Sequence, residues 1–287
     1  MSPSRSDRTL VFSLGLAAVM AGAAIVLIVT FLLVEAWPAL RHLGPDRFLR
    51  DGGWLPSAGA EGRFSLVPML AGTVAVSVGA LLLAAPAGVV SAVFCRFYAP
   101  SALAPFYRRL IEVLAGIPSV VYGFWGLVVL VPWIHRLEPP GQSLLAGILV
   151  LGLMVFPTVA LMSEAALKTL PSAYFSGAAA LGLGRWATIR GIALPAAAPG
   201  IGAGCFLAVA RALGETMAVL MVCGNVVQVP ATIFEPVRTL TANIALEMAY
   251  ATRLHRSALF VSGLALMTLV GVLVVVVDRL SPETAHD

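Results

Sequence analysis

Residues Ser163–Pro195 read SEAALKTLPSAYFSGAAALGLGRWATIRGIALP, and they lie between apolar runs long enough to cross a membrane. The stretch itself is not a span. Leu167, Leu170, Tyr174, Ala178 and Leu181 recur at helical spacing and predict one apolar side. Lys168, Ser172 and Ser176 fall elsewhere on the same wheel. Gly182 follows Leu181, where a helix is expected to stop in the left-handed conformation that glycine adopts cheaply. A second short amphipathic piece is expected next, with Trp186 and Ile189 on one side and Arg185 and Arg190 off it. Leu194-Pro195 then opens the following apolar run, because proline is tolerated in a first helical turn.

The composition agrees. Of 287 residues, 60% are hydrophobic and only 11% are charged, whereas a soluble domain carries about 25% charged residues. The chain is therefore expected to be an integral membrane protein, all-α and polytopic. The net charge of +4 is a weak signal for nucleic acid, because membrane loops are commonly basic, and no nucleic-acid partner is expected. Cys95, Cys205 and Cys223 are scattered, without metal-ligand spacing, so neither a disulfide framework nor a metal site is expected. His42, His135, His255 and His286 fall outside the assigned spans, which argues against haem or a metal within the bilayer. No G-x-x-x-x-G-K-[ST] run occurs, so no P-loop binds ATP here. Neither a catalytic residue nor a cofactor is expected in this chain.

Read in order, residues 1–10 form a short N-terminus with Arg5 and Arg8. Residues 11–34 form the first span, and a cleaved signal peptide is the alternative, though with a shorter apolar core. Residues 35–65 read as a polar segment of turns, with Trp37 and Trp54 suited to a membrane interface. Residues 66–280 hold the remaining spans, at about 66–94, 110–131, 143–161, 196–222 and 259–277, with the loop 163–195 between the fourth and fifth. Residues 281–287 form a polar tail. Six spans put both ends on one side. Arg108 and Glu112, four apart at a helix start, pair as an interfacial salt bridge or serve a gate.

Two interruptions carry chemistry. Gly116-Ile117-Pro118-Ser119 breaks the third span, since proline lacks a backbone donor and disfavours helix in the preceding residue. The break is either a simple kink or the start of a half-helix facing a translocation path, where exposed amides meet an anion. In the fifth span, Arg211 and Glu215 stand one helical turn apart near mid-bilayer. A charge at such depth costs about 2.5–3.5 kcal/mol on insertion scales. The two neutralise each other as a structural pair, or Arg211 meets an anionic substrate with Glu215 holding or orienting it.

These motifs carry a resemblance. Gly182, nine residues, Ile192, one residue, then Leu194-Pro195 resembles the coupling-helix loop of ABC-importer permeases. The places that usually hold Glu-Ala-Ala are Ser176, Gly177 and Ala178, without the acidic residue. Trp37-Pro38, Pro68 with Gly72-Thr73, Ile117-Pro118-Ser119-Val120-Val121-Tyr122-Gly123 and Arg211-Ala212-Leu213-Gly214-Glu215-Thr216-Met217-Ala218-Val219 look like the C-type permeases of phosphate-specific ABC importers. The resemblance implies six transmembrane helices of the type I ABC-importer permease fold. It implies a bacterial inner membrane with both termini cytoplasmic. It also implies a sister permease of the A type, a homodimeric ATPase that carries ATP and Mg, and an external phosphate-binding protein. The expected substrate path includes Arg211, Glu215, Thr216, Ser119 and Pro118. The expected ATPase coupling residues are Ser176, Gly177, Ala178, Gly182, Ile192, Leu194 and Pro195. Other readings are a permease for molybdate, tungstate or sulfate, and a proton-coupled secondary transporter using Arg211 and Glu215 as a relay. An intramembrane enzyme or a redox anchor is disfavoured for want of paired carboxylates or haem ligands in the spans.

Overall fold

The computed structural model describes residues 5–280; residues 1–4 and the tail expected at 281–287 lie outside the described residues. In chain order the longer elements are α1 (Arg5–Leu43), β1 (Trp54–Leu55), β2 (Arg63–Phe64), α2 (Val67–Val93), α3 (Leu103–Gly116), α4 (Ser119–His135), α5 (Leu144–Lys168), α6 (Ser172–Ala180), α7 (Leu194–Leu213), α8 (Met217–Val222), α9 (Leu240–Glu247) and α10 (Arg253–Leu280). Five of the described helices are long and apolar enough to cross a membrane, and the bent pair α3 and α4 makes a sixth. The chain divides into two compact units. One holds the residues up to Ser65 with Glu247–Ala265, and the other holds Leu66–Leu246 with the residues from Leu266.

In the first unit, α1 runs 39 residues, where turns were expected from residue 35 onward. At about 1.5 Å per residue it is some 58 Å long, nearly twice the roughly 30 Å of bilayer hydrocarbon. The helix passes through Pro38, and Ser257 bridges the next step of its ladder, between Glu35 and Ala39. The Ser257 hydroxyl donates to the Glu35 carbonyl at 2.6 Å and accepts from the Ala39 amide at 3.0 Å. Ala36 and Ala39 are fully buried at this contact. Trp37 is exposed, as an interface anchor is, but Trp54 is not one. Trp54 and Phe64 face each other across the two-stranded β1–β2 ribbon, and the Trp54 indole donates to Glu247 at 2.7 Å. Glu247 also holds His255 at 2.7 Å, so His255, expected in a loop, sits buried in the first turn of α10.

The second unit is built around α5, its most enclosed span. Val150, Leu151, Met154, Val155 and Val159 of α5 meet Val76, Ala80 and Ala84 of α2 and Ala208 and Ala212 of α7. Small residues let these backbones approach closely. A Cβ at Gly88 would lie 2.8 Å from the Val159 side chain, and one at Gly204 would lie 2.7 Å from Met162. The start of α5 leaves backbone donors without helical partners. Ser143 caps Ala146 at 3.2 Å, and the amides of Leu144 and Leu145 reach the carbonyls of Glu235 and Ile233. The segment after α8 thus seals the end of the central span and contains α9.

Gly88→Leu is expected to force α2 from α5 and destabilise the protein by about 1–3 kcal/mol. Thermal unfolding in detergent checks it against Gly15→Leu, where an added Cβ meets nothing within 4 Å and the midpoint should stay unchanged.

Candidate functional site

Two spans of the second unit are broken, and their breaks meet. The first break follows Gly116: α3 and α4 are bent by 92° about Ile117-Pro118. Pro118 has no amide to give the Leu114 carbonyl four residues back. The Ile117 amide, at 3.2 Å, and the Tyr122 hydroxyl, at 2.7 Å, donate to that carbonyl instead. Ile117 and Pro118 are both extended, and Ser119, half-buried, opens α4.

The second break overturns an expectation. The span at 196–222 is not continuous, because α7 stops at Leu213 and α8 begins at Met217. Gly214 separates them, and the helical turn that would have aligned Arg211 with Glu215 is lost. Among the described residues no carboxylate lies within 4 Å of the Arg211 guanidinium, so the expected ion pair does not form. Glu215 turns to α8 and accepts from the Ala218 amide at 3.1 Å, satisfying one donor of that helix start. The Thr241 hydroxyl, from α9, donates to the Glu215 carbonyl at 2.7 Å. Thr216 is half-buried and bonds only its own turn, donating to Gly214 at 3.4 Å.

Gly123 of α4 lies against α8: a Cβ there would come within 2.8 Å of the Ala218 Cα. The two half-helices therefore touch, one turn into α4 and at the very start of α8. Ser119, Pro118, Glu215 and Thr216 belong to these breaks, and Arg211 stands exposed on the last turn of α7. The guanidinium lies close enough to Tyr122 to act on it electrostatically.

The stretch 163–195 is also divided. Pro171 ends α5 at Lys168, and α6 is a separate helix. The single apolar side expected across both does not exist. Leu167 and Ala178 are buried, whereas Tyr174 is 46% and Leu181 79% exposed. Phe175 packs instead, its ring 5.9 Å from that of Phe97. In the following piece Ile189 is buried, but Trp186 is 60% exposed rather than sharing its side. Gly182 has φ +67°. The Leu183 amide reaches the Ala178 carbonyl and the Gly182 amide reaches that of Ala179, each at 3.0 Å. This pair of bonds caps α6 and needs a left-handed residue at Gly182. Ser176 and Gly177 are exposed, Ile192 and Leu194 are half-buried, and Pro195 is exposed.

A charge cluster sits where α5 ends. Glu164, 6% exposed, pairs with Lys168 one turn on and lies 3.8 Å from Arg108 of α3. Arg108 in turn bonds Glu112 at 2.9 Å. Glu164 was missed as a site residue, although its spacing to Lys168 is visible in the sequence.

With this geometry in hand, the comparisons decide the family. The pattern of the family described as "Binding-protein-dependent transport system inner membrane component" matches residues 84–285. This chain belongs to that family. It is 37% identical over 265 residues to "Probable ABC transporter permease protein YqgH" of Bacillus subtilis, covering 90% of this chain and 85% of the relative. It is 32% identical over 260 residues to "Phosphate transport system permease protein PstC" of Mesorhizobium japonicum, covering 83% and 78%. Among solved structures, a bacterial alginate ABC transporter aligns over 99% of both chains at 15% identity and TM-score 0.67. The MetNI methionine ABC transporter, in an inward-facing form, aligns over 75% of this chain and 92% of the other at 20% identity and TM-score 0.57. These likenesses show the ABC-permease fold. An inner membrane component of this family is a multi-pass membrane protein, as the six candidate spans require.

Glu215→Ala is expected to fray the start of α8 and destabilise the protein by about 1 kcal/mol. Glu215→Gln keeps an acceptor and should recover most of it, as read by thermal unfolding.

Proposed function

We propose that this chain is the permease subunit of an ATP-driven importer of inorganic phosphate, forming half of a translocation path and docking a separate ATPase. The observation that carries it is Arg211: an exposed guanidinium, without an ion pair among the described residues, beside two touching breaks in a membrane domain. A cation left so at membrane depth costs about 2.5–3.5 kcal/mol. An anion passing along that face offsets the cost, and a guanidinium fork matches a tetrahedral oxyanion. Several relatives at 31–34% identity bear the name of phosphate transport permeases, which favours phosphate over molybdate, tungstate or sulfate. With Glu215 committed to the Ala218 amide, a proton relay through the two residues loses its support.

The protein's orientation follows from the loop reading. α6 and the Gly182 turn face the cytoplasm, both termini lie on that side, and residues 35–65 and 224–256 face outward. Tyr174, Leu181 and Trp186 give α6 and its turn an apolar surface that an ATPase cleft covers, with Ser176 and Gly177 exposed beside them. ATP and Mg bind that partner, and a sister permease completes the path. An external binding protein delivers phosphate. ATPase closure pushes on α6, and Phe175 against Phe97 transmits the push toward the end of α2. Glu164 ties the base of α5 to α3 through Arg108, so the same push reaches the broken span. No covalent bond changes in this chain.

Arg211→Ala should abolish ATP-dependent uptake of radiolabelled phosphate into vesicles while the complex still assembles; loss of assembly would make Arg211 structural. Uptake driven by a proton gradient without ATP would overturn the proposal. Gly182→Val strains the left-handed turn by about 1–3 kcal/mol. It should detach or uncouple the ATPase, measured by co-purification and by phosphate transported per ATP hydrolysed.

A further inference from the structure

The first unit carries a cavity of about 540 Å³ where α1 and α10 meet, lined by Glu35, Pro38, His42, Arg253, Leu254 and Arg256 among others. Two arginines against one carboxylate leave it cationic. Both arginines are exposed, and among the described residues neither has a carboxylate within 4 Å. Trp37 stands exposed on α1 at this level, as side chains at a membrane boundary do. A second, apolar and shallow groove, open along one side, begins one residue away on α1, lined by Ala23, Val26, Leu27, Thr30, Phe31 and Val34 of that helix. From Ala23 to Val34 is eleven helical steps, about 16 Å. That is close to the depth of one leaflet, half of the roughly 30 Å hydrocarbon core.

One stack of side chains joins the two spaces. Arg256, from the cationic cavity, lies over the Phe260 ring at 5.9 Å, and Phe260 meets Phe31 of the apolar groove edge-on at 5.6 Å. A charged head site thus continues into an apolar slot of leaflet length. We propose that this is a binding site for an anionic phospholipid. Its phosphodiester would sit between Arg253 and Arg256, and one acyl chain would lie along α1 from Val34 to Ala23. Free phosphate shares the anionic chemistry but makes no use of the groove. An acidic protein partner would use the arginines and not the slot. The inference needs only the membrane placement of α1 and α10, so it stands apart from the transported substrate.

The test uses the chain purified from membranes with its accompanying subunits and placed in nanodiscs of phosphatidylglycerol diluted in phosphatidylcholine. Native mass spectrometry after detergent release reads the retained lipid. One phosphatidylglycerol per copy is expected. Replacing both Arg253→Gln and Arg256→Gln should lower retention at least tenfold, and the pair Arg253→Lys with Arg256→Lys should keep most of it, which separates charge loss from misfolding. Val26→Trp fills the groove and should also lower retention with both arginines present. Equal retention in the glutamine variant, or in Val26→Trp, would overturn the proposal. So would displacement of the lipid by millimolar inorganic phosphate, or a glutamine variant that keeps the lipid and loses an external protein partner.

Discussion

Inside a bilayer no water is at hand for a backbone group that loses its helical partner, and each such group costs several kcal/mol. Three departures from regular helix show how side chains answer that constraint or its counterpart at the membrane boundary. At Pro118 the Leu114 carbonyl, without its donor four residues on, accepts from the Ile117 amide and the Tyr122 hydroxyl. At Pro38 the Ser257 hydroxyl enters the ladder of α1. At Gly214 the repair comes from further away, with Glu215 capping α8 and Thr241 of α9 reaching the Glu215 carbonyl. Breaks survive where a side chain with the right donor or acceptor is held against them.

That repair explains why the Arg211–Glu215 pair does not form. A carboxylate four residues from an arginine joins it on an intact helix. Once Gly214 interrupts the helix, Glu215 is worth more to the unpaired amide of Ala218, and Arg211 keeps its charge on an exposed face. The break thus does two things: it ends α7, and it frees a cation. Touching half-helices at Gly123 and Ala218 then place that cation next to a second interrupted span.

The 163–195 stretch works by a similar division. Pro171 separates a buried, structural helix from an exposed one, so α5 serves the core while α6 presents side chains outward. Phe175 and Leu167 hold the junction together with Ala92, Ala193 and Ala197.

The sequence by itself determined the membrane class, the number of spans, the break at Pro118, the left-handed turn at Gly182 and the family. Each of these rests on local chemistry: apolar run length, the missing proline amide, the absent glycine Cβ, and a motif read in order. Tertiary structure alone decided the rest. Where α1 runs on past Pro38, Ser257, more than two hundred residues away, bridges Glu35 to Ala39. Trp54 and His255 are buried because Glu247 collects both. The Leu167-to-Leu181 stripe splits because Pro171 redirects the chain, and Phe175, outside the stripe, packs on Phe97. Arg211 has no ion pair and Glu215 is engaged because α8 holds the carboxylate and α9 the carbonyl of Glu215. Spacing along a chain says which groups could meet if a helix continues, while the partners that stop it arrive from distant segments.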